Sequence, residues 1–104
     1  MQPASTRHHN VTIRNQLKAQ AVNRAAIEDV LADGTKRYIS TGVAMLMTYQ
    51  DASKRCFALH AKRGDIPANL ISFVKGCLTE KGWDFLSGGM VSKGLWEGTF
   101  VRIN

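Results

Sequence analysis

Three Lys-Arg pairs punctuate the chain: Lys36–Arg37, Lys54–Arg55 and Lys62–Arg63. A guanidinium offers a rigid fork of donors that matches a phosphate, and an ammonium offers a mobile point charge. Four more cations, Arg7, Arg14, Lys18 and Arg24, fall within residues 1–27, which contain no acid and so carry 4 − 0 = +4. Residues 28–104 hold ten basic and eight acidic residues, 10 − 8 = +2, which completes the net charge of +6. The pI is about 9.8. A domain pI above about 9 is a cue for nucleic-acid binding. The chemistry these ten side chains suggest is therefore contact with phosphate, from DNA or RNA. The bland account of the same charges is solubility and the protection of sheet edges.

Other chemistries find weaker support. His8 and His9 are adjacent near the N-terminus, and Cys56 and His60 stand four apart. A structural zinc site needs four ligands, and no Cys-x-x-Cys pair is present, so no metal is expected. Cys77 falls on an apolar helix stripe, where a thiol is inert; this weakens a catalytic pair of Cys77 with His60. The two cysteines are expected as free, buried thiols. No phosphate-binding loop, dinucleotide fingerprint or nucleophile-elbow motif occurs, and "SGGMVSKG" is followed by a strand pattern rather than a helix. Neither a cofactor nor catalysis is expected.

The stretch "LTEKGWDFLSGG", residues 78–89, has a helix–Gly-Trp–strand rhythm that resembles the HicA toxin family of RNA-cleaving proteins. The resemblance spans a dozen residues. The strand histidine it implies is missing from this part of the sequence, where Lys81 and Lys93 are the nearby candidates for its place. RNA cleavage is accordingly not assigned.

These residues must be positioned by a single domain, since the chain has 104 residues. No apolar run approaches the roughly 18 residues of a membrane span, and "MQPASTRHHN" lacks the apolar region of a secretory signal. A cytoplasmic protein without membrane contact is the resulting expectation. Residues 1–11 are polar and without period and are expected as a flexible basic arm, followed by one domain over 12–104.

Leu17, Ala21, Val22, Ala25, Ala26, Val30 and Leu31 recur at spacings of three and four, which predicts a helix over 13–33 with Thr12 as N-cap and Gly34 as stop. Its charges run against the macrodipole, with cations early and Glu28, Asp29 and Asp33 late; pairing of Arg24 with Glu28 is one account. "GVAMLMTY" and "RCFALHA" flank the polar turn "QDASK" and predict a hairpin over 42–50 and 54–62, with a short helix as the alternative for the first run. "DIPANLISFVKGCLTEKG" predicts a second helix, capped by Asp65, with Pro67 in its first turn and Gly82 as stop. Two further strands are expected around the Gly-rich segment of "WDFLSGGMVSKGLWEGTFVRI".

The order is arm–α–β–β–α–β–β. The predicted architecture is α+β, with two helices on one face of a four-stranded, mostly antiparallel sheet and the other face partly open. Period two puts Trp96 and Phe100 on one face of the last strand and Val101 and Ile103 on the other. Trp96, Phe100 and Arg102 are expected to face outward, to stack a base or touch a partner, whereas Trp83 is expected in the core. Two functions follow as expectations. One is a non-catalytic nucleic-acid-binding accessory protein. The other is a protein-interaction module that occupies an acidic or nucleic-acid-binding surface of a partner, or pairs through its C-terminal strand as a homodimer.

Overall fold

Asn23, Ala26, Ile27 and Val30 are buried at spacings of three and four, and they fasten the first helix to the rest of the protein. The structure, a computed structural model, describes residues 4–103, with side chains from Ile13 onward. Its elements in chain order are α1 (Ala4–Asp33), β1 (Arg37–Tyr38), β2 (Val43–Asp51), β3 (Lys54–Ala61), α2 (Ala68–Glu80), β4 (Trp83–Ser92) and β5 (Leu95–Arg102). This is the expected α+β class, with five strands where four were expected.

α1 begins well before residue 13. Positions 4–11, expected as an arm, belong to it, and Thr12 lies inside it rather than capping it. The physical reason is in the sequence: no glycine or proline interrupts residues 4–33. Gly34, at φ 70°, ends the helix, and its N–H donates to the Val30 carbonyl at 2.6 Å. α2 starts later than expected. Pro67, not Asp65, occupies its N-cap position, and its carbonyl accepts from the Leu70 and Ile71 amides.

The strands run in the order β1-β2-β3-β5-β4, and all neighbours are antiparallel. β5 is antiparallel to both β3 and β4, so those two point the same way. The unit β3–α2–β4 is therefore a crossover whose two strands are held apart by β5. The hairpin β2–β3 forms as predicted. Its turn is an Asx-type turn in which the Asp51 carboxylate accepts from the Ser53 amide at 2.7 Å and the Ser53 hydroxyl at 2.8 Å. The Gly-rich segment is not a break between strands. Gly88 and Gly89 lie inside β4, and the turn to β5 is made at Lys93–Gly94.

One sheet face carries both helices and the core. Alternation assigns Met45, Met47, Phe57, Leu59, Trp96 and Phe100 to it, and each is buried there. α2 adds Leu70, Val74, Cys77 and Leu78. Among the described residues no helix lies over the other face, which presents Leu46, Thr48, Ala58, His60, Glu97 and Thr99.

This arrangement corrects the expected orientation of β5. Trp96 is 3% exposed and Phe100 is fully buried, so neither ring is available to a base or a partner. Their centroids lie 6.5 Å apart, and Phe85 stands 6.2 Å from Trp96 and 5.5 Å from Phe100. The space for the indole comes from Gly98, paired opposite Gly88. A Cβ on Gly98 would come within 2.5 Å of the Trp96 ring. Half-buried Lys75 covers the cluster, with its ammonium 4.0 Å from the Phe85 centroid. Trp83 is buried as expected.

Replacing Trp96 by Ala removes a core ring, so the expected loss is about 3–5 kcal/mol, measured by urea unfolding. Asn23 makes the opposite case. It is 6% exposed, and its Oδ1 has no hydrogen-bond partner among the described residues. A buried unpaired acceptor costs roughly 1–3 kcal/mol, so Asn23→Leu is expected to leave the melting temperature unchanged or raise it.

Candidate nucleic-acid interface

The structure divides the ten predicted phosphate ligands rather than gathering them. Arg7 lies in α1, and its side chain is outside those described. Arg14 and Lys18 are exposed on the part of α1 that precedes the packed segment. Each is two residues from Gln16, about 200° around the helix, so they face away from the groove that Gln16 lines.

Two of the ten are neutralised. Arg24 binds Glu80 at 2.7 Å, not Glu28. Arg37 binds Asp33 at 3.1 Å and approaches Asp29 at 3.8 Å, while Glu28 pairs with Lys81 at 3.1 Å. The acids at the end of α1 thus hold neighbouring elements in place, and that explains their order against the helix dipole. These pairs are exposed, so solvent and salt screen them and each contributes little to stability.

The remaining cations form two groups at opposite ends of the sheet. At one end the Arg55 guanidinium lies between two rings, 3.9 Å from the Tyr49 centroid and 4.4 Å from that of Trp83. Arg102 is 5.7 Å from Trp83, and Arg55 Nη1 donates to Met47 Sδ at 3.6 Å. Arg55 Nε is buried without a partner among the described residues. This arginine is half-buried and serves the edge of the core. Exposed Lys54 and Arg102 are the outward charges here.

At the other end lies a cluster that the charge pattern did not single out. Tyr38, on the short edge strand, is 53% exposed. The Lys36 ammonium is 5.2 Å from its ring centroid and that of Lys62 is 4.3 Å away. A hydrogen bond with Lys36, and then the charges of Lys36 and Lys62, hold the Tyr38 phenol below its ordinary pKa. Arg63 follows Lys62 into the exposed loop after β3. Cross-strand register continues the row from Tyr38 to Ala44, His60 and Leu95 on the uncovered face. Beside that row is a shallow slot of about 260 Å³, lined by Lys36, Leu46, Ala58, His60, Leu95 and Glu97. Sequence reasoning named Lys36 and Lys62 but missed Tyr38 and Glu97. The signal was present, because period two places Lys36 and Tyr38 on the same side of "TKRY".

Other sites do not join this cluster. A groove of about 590 Å³ between α1 and α2 is lined by neutral groups, among them Gln16, Gln20, Asn23, Asn69 and Ser72. Cys77 faces the core and His60 the opposite side of the sheet, so the two are not brought together. Both cysteines are free, and burial pushes both thiols up; Cys56 is half-buried where full burial was expected. Among the described residues, no three metal-ligating side chains converge, and no helix is long and apolar enough to cross a membrane.

No family model, no curated protein and no solved structure matches this chain.

The Tyr38 environment gives a direct measurement. Replacing Lys36 by Met removes the hydrogen-bonding cation, so the phenol's pKa is expected to rise toward about 10. Titration of the tyrosine ring carbons by NMR reads this shift, and an unchanged midpoint would show that Lys36 does not act on the ring.

Proposed function

We propose that this protein binds nucleic acid non-catalytically, chiefly through phosphate, with the Tyr38 end of the uncovered sheet face as its principal contact. The observation that carries the reading is an exposed aromatic ring between two lysines, at the edge of a sheet face that no helix covers. Successive bases stack on aromatic platforms, while nearby cations follow the backbone. Lys36, Lys62 and Arg63 supply charge at this end and Lys54 and Arg102 at the other. Among the described residues these five make no ion pair. Arg14 and Lys18 add charge on the projecting part of α1.

A second reading, a protein-interaction module, has its own observation. The C-terminal strand β5 is enclosed between β3 and β4, so it offers no edge for pairing. The long free edge is β4, which exposes Leu86, Met90 and Val91. Such an edge is a template for another strand. Size-exclusion chromatography with light scattering measures that alternative as a dimer.

The nucleic-acid reading predicts steep salt dependence. For about four phosphates neutralised by a single strand, the slope of log K against log salt is about −3. Removing Lys36 and Lys62 together should make the slope shallower by about 1.4. Absence of binding to any duplex or single strand at low salt would overturn the reading.

A further inference from the structure

The slot beside Tyr38 contains an acid where a surface built only for phosphate would not place one. Glu97 stands at the middle of β5 on the uncovered face, between Ala58 of β3 and Gly89 of β4 in register. These neighbours are small, Glu97 itself is half-buried, and among the described residues it makes no ion pair. Leu46 and Leu95 supply apolar walls, and Lys36 and His60 supply N–H donors in the same slot. The volume is slightly below the usual range for small-ligand pockets, about 300–1,000 Å³, which suits one flat ring better than a whole nucleotide.

The polar groups in the slot have a definite pattern. A carboxylate only accepts, and it accepts at two oxygens. Lys36 only donates. The base that complements this pair carries two adjacent N–H groups next to a carbonyl. Unpaired guanine meets that description, with N1–H and the N2 amine beside O6. Thymine and uracil present a single N–H flanked by two carbonyls, which a carboxylate repels. Adenine and cytosine set a ring acceptor beside their amine, which also meets the carboxylate badly.

We propose that the slot holds an unpaired guanine of a single strand, with Glu97 accepting from N1–H and N2–H and Lys36 donating to O6. Tyr38 stacks the neighbouring base, and Lys62 meets the backbone. In a duplex, the edge that Glu97 reads is already paired, so the slot selects single strands or loops. This inference rests on the nucleic-acid reading and adds base selection to it. Rejection of the wrong bases comes from the carboxylate's repulsion as much as from the attraction of the right one.

The test uses the full chain and labelled oligothymidylates of about ten nucleotides, within the range of single-strand site sizes. One strand carries a single central guanine, a second carries hypoxanthine there, and a third is all thymine. The expected result is that guanine tightens binding on the order of tenfold and that hypoxanthine, which lacks the N2 amine, returns most of that gain. Glu97→Gln, which keeps the shape but replaces one acceptor with a donor, should bring the guanine and thymine strands within about twofold of each other. The hypoxanthine strand keeps the inference testable even if that variant folds poorly. Equal affinity of the three strands for the unmodified protein, with a steep salt slope retained, overturns the guanine slot and leaves the phosphate reading standing. No binding of any strand at low salt overturns both.

Discussion

The fold depends on one strand being enclosed. β5 sits between β3 and β4, and its positions from Leu95 to Val101 have a partner on both sides. Because β3 and β4 run in the same direction, they need a partner of opposite direction between them to complete an antiparallel sheet. α2 carries the chain over that gap, and the rings of Trp96 and Phe100 fill the space beneath it. Gly98 is the local condition for this packing, since a side chain there would displace the indole. Burying two aromatic side chains on one eight-residue strand concentrates apolar area where the helices and the sheet meet.

That division of the sheet into a filled face and an uncovered one decides where chemistry can occur. The aromatic rings expected to meet a partner are spent in the core, and the ring left outside is Tyr38 on the marginal strand β1. The cations split by the same rule. Those near acids, Arg24 and Arg37, tie helix to helix and helix to strand, and Arg55 is held between rings. Those in turns keep their charge free. A net charge concentrated in the first quarter of the sequence is thus poor guidance to where positive potential meets the uncovered sheet face. Folding redistributes it, because Lys36 and Lys62 are far apart in the chain yet flank one ring.

Much of this was legible in the residues, and the failures have identifiable causes. The periodicity from Leu17 to Leu31 and the alternation in "GVAMLMTY" and "RCFALHA" gave the helix and hairpin because one face of each is continuously apolar. The start of α1 is hidden in the sequence because residues 4–11 are polar and show no apolar period, though nothing in them stops a helix. The faces of β5 are opposite to expectation because both carry apolar groups, Val101 and Ile103 on one side and Trp96 and Phe100 on the other. Glu97 and Thr99, in the middle of the strand, were the better guide, since a strand's end tolerates exposed apolar groups and its centre does not. β1 was not foreseen because a two-residue strand carries no period at all. The site at Tyr38 was half legible: charge picked out its lysines, but only tertiary register brings Glu97 and His60 beside them.

The enclosed position of β5 also has a consequence for the order in which the structure forms. The hairpin β2–β3 closes across a turn of two residues and needs nothing from later in the chain. The sheet as a whole has no such freedom. Lys54 pairs with Val101, 47 positions further on, so the loop closed by that contact spans nearly half of the sequence. Loop closure on that scale precedes the contacts that reward it, and it slows folding relative to local pairing. Until residues 95–102 arrive, β3 and β4 each present an unpaired edge, and α2 has only part of its floor. A chain stalled at that point exposes Leu59, Phe57 and Trp83 together with two open strand edges, the combination that favours association with other unfinished chains.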